Sequence, residues 1–180
     1  MNIEELIKSK QENLFIIENH PAVNMRLSDR ILYLDGIALM MSIDHEIHKK
    51  EKKYLTTLIV SLDLPKENLE QFINFSKKNY NNSVEIISKS LKRNNLEIIF
   101  LLDLLIIRLA DNKIRKEETE LLTFFAKELE IDETTRKDLE SLAHFFKIDD
   151  IEGIIELFKS TDLKKEEFNY LFDYYNLEIK

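Results

Sequence analysis

An all-helical fold is predicted by three features of the sequence. Of its 180 residues only two are glycine and two are proline, too little turn chemistry for the tight connections that a strand-rich fold needs. Apolar residues recur at helical spacing along most of the chain, among many Leu, Lys and Glu that hold helices well. The third feature is a corner written twice, SIDHEIHKKE at 42–51 and LADNKIRKEE at 109–118. Each copy places Ile three residues after an Asp, Lys two after that, and Glu seven after the Asp. The expectation is a bundle of about nine or ten helices that contains two related helical hairpins around a pseudo-twofold axis.

The elements follow in order. Ile3, Leu6, Ile7, Leu14 and Ile17 predict a first helix over 2–18, which Pro21 stops. A loop from Asn24 to Leu27 leads to Ser28 and Asp29, either of which caps a helix reaching Ile43. A third helix runs from about Lys49 to Leu62, with Leu55, Leu58, Ile59 and Leu62 on one side. Pro65 fits the first turn of the next helix, which carries Leu69, Phe72, Ile73 and Phe75. Asn79 to Asn82 reads as a turn before a fifth helix at 83–92. The apolar run IIFLLDLLII at 98–107 is a buried sixth helix, too short for a bilayer and interrupted by Asp103. A seventh helix is predicted at 115–129 and an eighth after the cap Asp132, with Leu139, Leu142, Phe145 and Phe146. Two short helices at 149–159 and 163–176 close the chain.

Offset against itself by 67 residues, the chain pairs Ile31 with Ile98, Leu34 with Leu101, and Asp44 with Asp111 without a gap. Ile47 then meets Ile114, Lys49 meets Lys116, and Glu51 meets Glu118. Leu55 with Leu122 and Leu62 with Leu129 complete the set. The organisation expected is an N-terminal helix and loop (1–27), a duplicated helical core (28–147), and a C-terminal helical extension packed on that core (148–180).

Composition narrows the function. A net charge of −8, from 34 acidic and 26 basic residues, argues against a nucleic-acid face, because phosphate would meet the repulsion of the whole protein. Lys49, Lys50, Lys52 and Lys53, and later Lys89, Lys92 and Arg93, read as solvated helix faces. Zero cysteines exclude disulfides, thiolate catalysis and Cys-zinc sites. With no secretory pattern at Met1 to Glu5, the expected location is cytoplasmic. No Ser/His/Asp constellation, glycine-rich phosphate loop or nucleophile elbow is visible, so the chain is read as non-enzymatic.

The corner carries the most chemistry. Its Asp, Ile and Glu match positions 5, 8 and 12 of an EF-hand loop, but positions 1 and 3 would be Met40 or Ile107 and Ser42 or Leu109, so neither copy is an EF-hand by itself. Taken singly, each corner is a pair of helix ends: the Asp closes one helix, the Ile plugs the core, and the Glu favours the next N-terminus. Taken together, Asp44, Glu51, Asp111 and Glu118 offer four carboxylates, enough for one divalent cation, and without one they would repel.

On these residues the segment from about 31 to 147 resembles the TerB family, the tellurite-resistance-associated helical domain. That family repeats small-Asp-Gly-x-Val/Ile-x-x-x-Glu. The matching positions are Asp44, Ile47 and Glu51, then Ala110, Asp111, Ile114 and Glu118. The family's glycine is His45 in one copy and Asn112 in the other, and Asn tolerates the left-handed turn. The resemblance implies an all-α binding module without catalysis and with an acidic site for calcium or manganese rather than zinc. It also implies a protein partner in a bacterial stress-response or membrane-associated assembly. Membrane association would be peripheral, through that partner.

Three further features complete the reading. HEIH at 45–48 lacks the metalloprotease spacing, yet His45 and His48, with Asn112, are secondary candidate ligands. Asp103 within the apolar run needs a hydrogen-bond partner or an edge position. Opposite it in the repeat stands Gly36, where helices can cross closely. In EEFNYLFDYYNLEIK, Phe168, Leu171, Phe172 and Tyr175 form one apolar face, leaving Tyr170 and Tyr174 as candidate partner contacts. The alternative to a cation-dependent module is therefore a metal-independent helical interaction adaptor that works through its aromatic surface.

Overall fold

The computed structural model describes residues 16–43, 47–76 and 80–177, and all its regular structure is helical. Among the described residues there are nine α-helices: α1 (Leu27–Ser42), α2 (Lys49–Ser61), α3 (Leu69–Ser76), α4 (Tyr80–Asn94), α5 (Glu97–Arg108), α6 (Lys116–Glu128), α7 (Glu133–Ile148), α8 (Ile151–Ser160) and α9 (Asn169–Tyr174). Short 3-10 turns at Pro21–Asn24, Lys66–Asn68 and Lys165–Phe168 join some of them. No described helix is long and apolar enough to cross a membrane.

Helices α1 and α5 form the centre. Every residue of α1 from Tyr33 to Ser42 is buried, as is every residue of α5 from Ile99 to Arg108. A helix buried on all sides needs neighbours on all sides. Accordingly α1 packs against α2, α3, α4 and α5, while α5 also meets α6 and α7. The two central helices approach closely at Gly36, where an added Cβ would lie 2.6 Å and 2.8 Å from the Phe100 ring. Phe100 in turn meets Tyr33 and Phe125 edge to face, each at a centroid distance of 5.1 Å.

The scarcity of glycine is explained at the helix ends. Asp63, Asn95, Glu130 and Asp149 adopt left-handed backbone just after α2, α4, α6 and α7, a position that glycine usually fills. After α2 the N–H of Leu64 reaches Ile59 O and that of Asp63 reaches Val60 O; after α6 Ile131 reaches Ala126 O and Glu130 reaches Lys127 O. These are the same double closure, 67 positions apart.

Several boundaries differ from those read in the sequence. Most of the helix expected at 2–18 lies outside the described residues, and from Asn19 to Asn24 the chain is a turn followed by a 3-10 turn. Neither Ser28 nor Asp29 caps α1, which begins at Leu27. Asp29 is instead a buried tie to α4: it accepts 2.8 Å from Ser90 Oγ and pairs with Arg93 and, at 3.1 Å, with Arg26. Burial pushes its carboxyl up, but the bonds from Ser90 and Arg26 and the Arg93 charge outweigh burial and hold it below the usual range. Of the turn expected at Asn79–Asn82, Asn79 lies outside the described residues, and α4 already includes Asn81 and Asn82. The last expected helix is divided into a 3-10 turn and α9.

The C-terminal elements lie on α7. Phe146 of α7 stacks on Tyr175 at 5.1 Å and meets Phe172 at 5.7 Å, and Phe158 of α8 meets Phe168 at 5.8 Å.

Candidate functional site

The two corners come together. Glu51, at the first turn of α2, accepts from the N–H of His48 at 2.8 Å, and Glu118, at the same place in α6, accepts from the N–H of Arg115 at 3.1 Å. Both glutamates are about as buried as core leucines, 2 % and 1 % exposed. Asp111 closes its turn by accepting from the N–H of Lys113 at 3.0 Å. The following residue, Asn112, has φ 65° and is exposed, so it takes the left-handed turn rather than facing the carboxylates. Asp44 and His45 lie outside the described residues.

Arg115, which the sequence reading did not single out, stands among these acids. Its Nη2 is 2.8 Å from Asp111 Oδ2 and its Nη1 is 3.1 Å from Glu118 Oε1. The same Nη2 is 2.8 Å from His48 Nε2, which also lies 3.2 Å from Asp111 Oδ2. A guanidinium nitrogen carries only donors, so Nη2 donates to the imidazole nitrogen, and its charge pairs with the carboxylate. His48 and Arg115 occupy equivalent positions of the two copies, which is the signal that would have found this pair.

The electrostatics follow. Burial pushes the Glu51 carboxyl up to about 7; the His48 N–H and imidazole oppose this, while Asp111 and Glu118 add to it. Glu118 is likewise raised by burial, against the pull of Arg115. Asp111 is held below the usual range because the Lys113 N–H, Arg115 and His48 outweigh the burial that would raise it. The described corner thus fits a guanidinium better than a metal ion. Arg115 holds Asp111 and Glu118, each glutamate spends one oxygen on a helix N-terminus, and calcium wants six to eight oxygens. Among the described residues no group of three His, Asp or Glu is arranged around a metal position.

The isoleucines of the repeat differ from expectation. Ile47 packs partly on the core, but Ile114 is 65 % exposed. Ile114 therefore plugs nothing: Arg115 and Glu118 turn inward from this corner and Ile114 points to solvent.

A second polar cluster lies in the core. Asp103, fully buried in α5, accepts from Tyr33 Oη at 2.6 Å and His20 Nε2 at 2.9 Å on Oδ2, and from Tyr54 Oη at 2.9 Å on Oδ1. The tautomer of His20 is fixed, because Nδ1 accepts from the N–H of Ala22 at 3.1 Å and Nε2 must carry the proton. Burial first, and the adjacent Asp103 charge second, push the Tyr33 and Tyr54 hydroxyls well above the ordinary tyrosine range, so both remain donors. The hydrogen bonds expected for Asp103 are thus in place, but donors 83, 70 and 49 positions away leave no local trace in sequence.

Tyr170 belongs to this cluster, not to the surface. Its ring meets His20 at 4.9 Å and it is 5 % exposed, so its expected place as a partner contact is corrected. Its neighbour Tyr174 is half-buried and lines a pocket of about 350 Å³ beside the corners, together with Tyr54 and Tyr175. Ile106, Leu109 and Ala143 provide apolar wall, Lys50, Lys53 and Lys147 provide charge, and among the described residues no acidic one lines it. Two of the lysines read as solvated helix face, Lys50 and Lys53, therefore border a concave site.

Comparison of the chain with protein-family models, curated proteins and solved structures gave no match. The TerB resemblance accordingly rests on the corner residues alone.

Proposed function

We propose that this chain is a non-enzymatic helical interaction module that works without a metal and seats an acidic segment of a partner protein in the pocket around Tyr174. The observation that carries this reading is the character of that pocket. In a chain of net charge −8, it gathers three lysines and three tyrosines over an apolar wall, with no carboxylate among its described lining residues. Lys50 and Lys147 are exposed and make no ion pair among the described residues. An aliphatic side chain between acidic neighbours would bury its apolar part against Ile106 and Leu109 while its charges meet the lysines, the usual division between an interface core and its rim. The tyrosines add rigid contact area.

In this reading the corners have a mechanical role. Arg115 and the two capping glutamates clamp the start of α6 to that of α2, and α2 carries Lys50, Lys53 and Tyr54 into the pocket wall. The proposed adaptor role within a stress-response or membrane-associated assembly is drawn from the TerB resemblance.

The test is fluorescence anisotropy with a short labelled peptide of alternating glutamate and leucine, beside a lysine–leucine peptide of equal length. Saturable binding of the acidic peptide alone, weakened by salt and lost in the folded Lys50→Glu/Lys147→Glu variant, is expected. Equal binding of both peptides, no binding, or binding untouched by the charge reversal would reject the reading.

A further inference from the structure

A second cavity, of about 340 Å³, lies between α1 and α3 and shares no described lining residue with the lysine pocket. Its walls are Leu64, Phe72 and Phe75, with Ile31 exposed at the rim and the amides of Asn68 and Gln71 beside them. Among its described lining residues one is charged, Asp35, one turn along α1 from Ile31. Asp35 is 5 % exposed, and among the described residues it has no hydrogen bond or ion pair.

A buried carboxylate is ordinarily paired, since desolvation without compensation is costly. Asp29, six residues earlier on the same helix, shows what pairing looks like here, with Ser90, Arg26 and Arg93 all engaged. Among the described residues nothing comparable reaches Asp35, and burial raises its carboxyl to about 7. The missing counter-charge is thus a property of a concave, apolar and aromatic site rather than of a packed core.

We propose that this cavity binds an organic ammonium with an apolar body, whose charge pairs with Asp35 and whose hydrocarbon lies against Phe72 and Phe75. A cation brought to Asp35 satisfies the stranded carboxylate, and aromatic faces attract an ammonium in addition. A bare metal ion is a poor match, because one carboxylate and two amide oxygens fall short of the six to eight oxygens calcium takes and leave the aromatic wall unused. Cavities of this size suit small organic ligands.

The experiment compares three probes of equal chain length, hexylammonium, hexanol and hexanoate, by chemical-shift titration of the isotope-labelled chain. Hexylammonium is expected to perturb α1 and α3 resonances saturably and to bind about tenfold or more tighter than hexanol, about 1.4 kcal/mol, with hexanoate weakest. In Asp35→Asn, whose fold is checked by circular dichroism, the preference for the ammonium over the alcohol disappears. Acetyl-lysine amide, with its ammonium on a butyl chain, is the second arm: tighter binding than hexylammonium assigns the natural cation to a polypeptide side chain, weaker binding to a free amine. Equal binding of hexylammonium and hexanol by the unaltered chain, a preference that survives in Asp35→Asn, or no binding of hexylammonium overturns the proposal. The wild-type comparison decides this without any variant, and a failure of the acidic-peptide test would leave it standing.

Discussion

His48 and Arg115 hold equivalent places in the two corners, and their side chains meet at 2.8 Å between Nε2 and Nη2. That contact sets Arg115 between Asp111 and Glu118, so the guanidinium neutralises acids that would otherwise repel. Replacing it with a neutral side chain leaves buried carboxylates uncompensated, which costs about 3–5 kcal/mol when a buried pair is broken. Asp111 is on an open turn, so about 2–3 kcal/mol is expected for Arg115→Gln, read by urea denaturation. The same variant frees oxygens for a cation. Millimolar calcium or manganese should restore part of the loss in Arg115→Gln and add nothing to the unaltered chain. Stabilisation of the unaltered chain by either ion would return the corner to the cation reading.

Asp103 joins α5 to α1, α2 and the segment before α1 through one carboxylate. Asp103→Asn keeps the shape but turns one acceptor into a donor. Tyr54 can rotate its hydroxyl to compensate, whereas His20 Nε2 cannot change role while Nδ1 accepts from Ala22. The expected loss is about 1–3 kcal/mol. Asp103→Leu strands all three donors and should cost more than the Asn variant. Urea midpoints for the pair check this order, and a Leu variant as stable as the original would remove the cluster's structural role.

The buried acids predict how stability varies with pH. Burial raises Asp35 from 3.8 and Glu51 from 4.5, each to about 7, so between those limits the folded chain holds protons that the unfolded chain releases. Their contribution is present below about pH 4 and is lost as pH rises through about 7. Asp29 and Asp111 have the opposite sign, since both are held below 3.8 and their contribution is lost as pH falls through their folded values. The stability maximum is therefore expected at about pH 4, with a decline that levels off above about pH 7. Asp35→Asn should flatten that decline by about 1–2 kcal/mol, after solvent relaxation around a carboxylate on an open cavity is allowed for. Thermal midpoints at half-unit pH steps would show it; an unchanged slope would mean that Asp35 titrates as it does in water.

How much of this was legible in the sequence depended on range. The helices came from local periodicity, and the paired corners came from the repeat, because Glu51 and Glu118 each make their capping bond within three residues. Gly36 opposite Asp103 pointed to the close crossing of α1 and α5. What was missed depends on distant partners. His20 gives no hint of Asp103, Asp29 passes for a helix cap until Ser90 and Arg93 are beside it, and Tyr170 passes for a surface tyrosine until its ring is found on His20. Arg115 was hidden differently: it is the repeat mate of His48, and a comparison limited to identical residues passes over a basic pair. Ile114 shows the reverse error, in which a repeated apolar residue was assigned to the core although its copy points outward.

Glu130 stands where helix ends favour glycine or asparagine, with φ 59°, a conformation that costs an ordinary side chain about 1 kcal/mol. Its carboxylate pairs with Lys92, but that pair is on the surface, where such contacts contribute little. Glu130→Asn, which gives this closure a residue like Asn95 after α4, should therefore stabilise the chain by about 0.5–1 kcal/mol. A neutral or destabilising result in urea at moderate salt would show that the Lys92 pair matters more than its exposure suggests.

Gly36→Ala tests the central crossing with one methyl group. Helix propensity alone favours alanine over glycine by about 1 kcal/mol. Against this, the new Cβ would sit under 3 Å from the Phe100 ring, and that ring cannot retreat freely because Tyr33 and Phe125 hold its edges. Overpacking of such a site costs about 1–3 kcal/mol, and moving α1 away from α5 would also lengthen the bond from Tyr33 to Asp103. Steric cost should win, giving a net loss of about 1–2 kcal/mol. In the double variant Gly36→Ala/Phe100→Leu the clash is relieved, so the alanine should cost less there than in the single variant. If the alanine cost is the same in both backgrounds, Phe100 is not what requires glycine at this position.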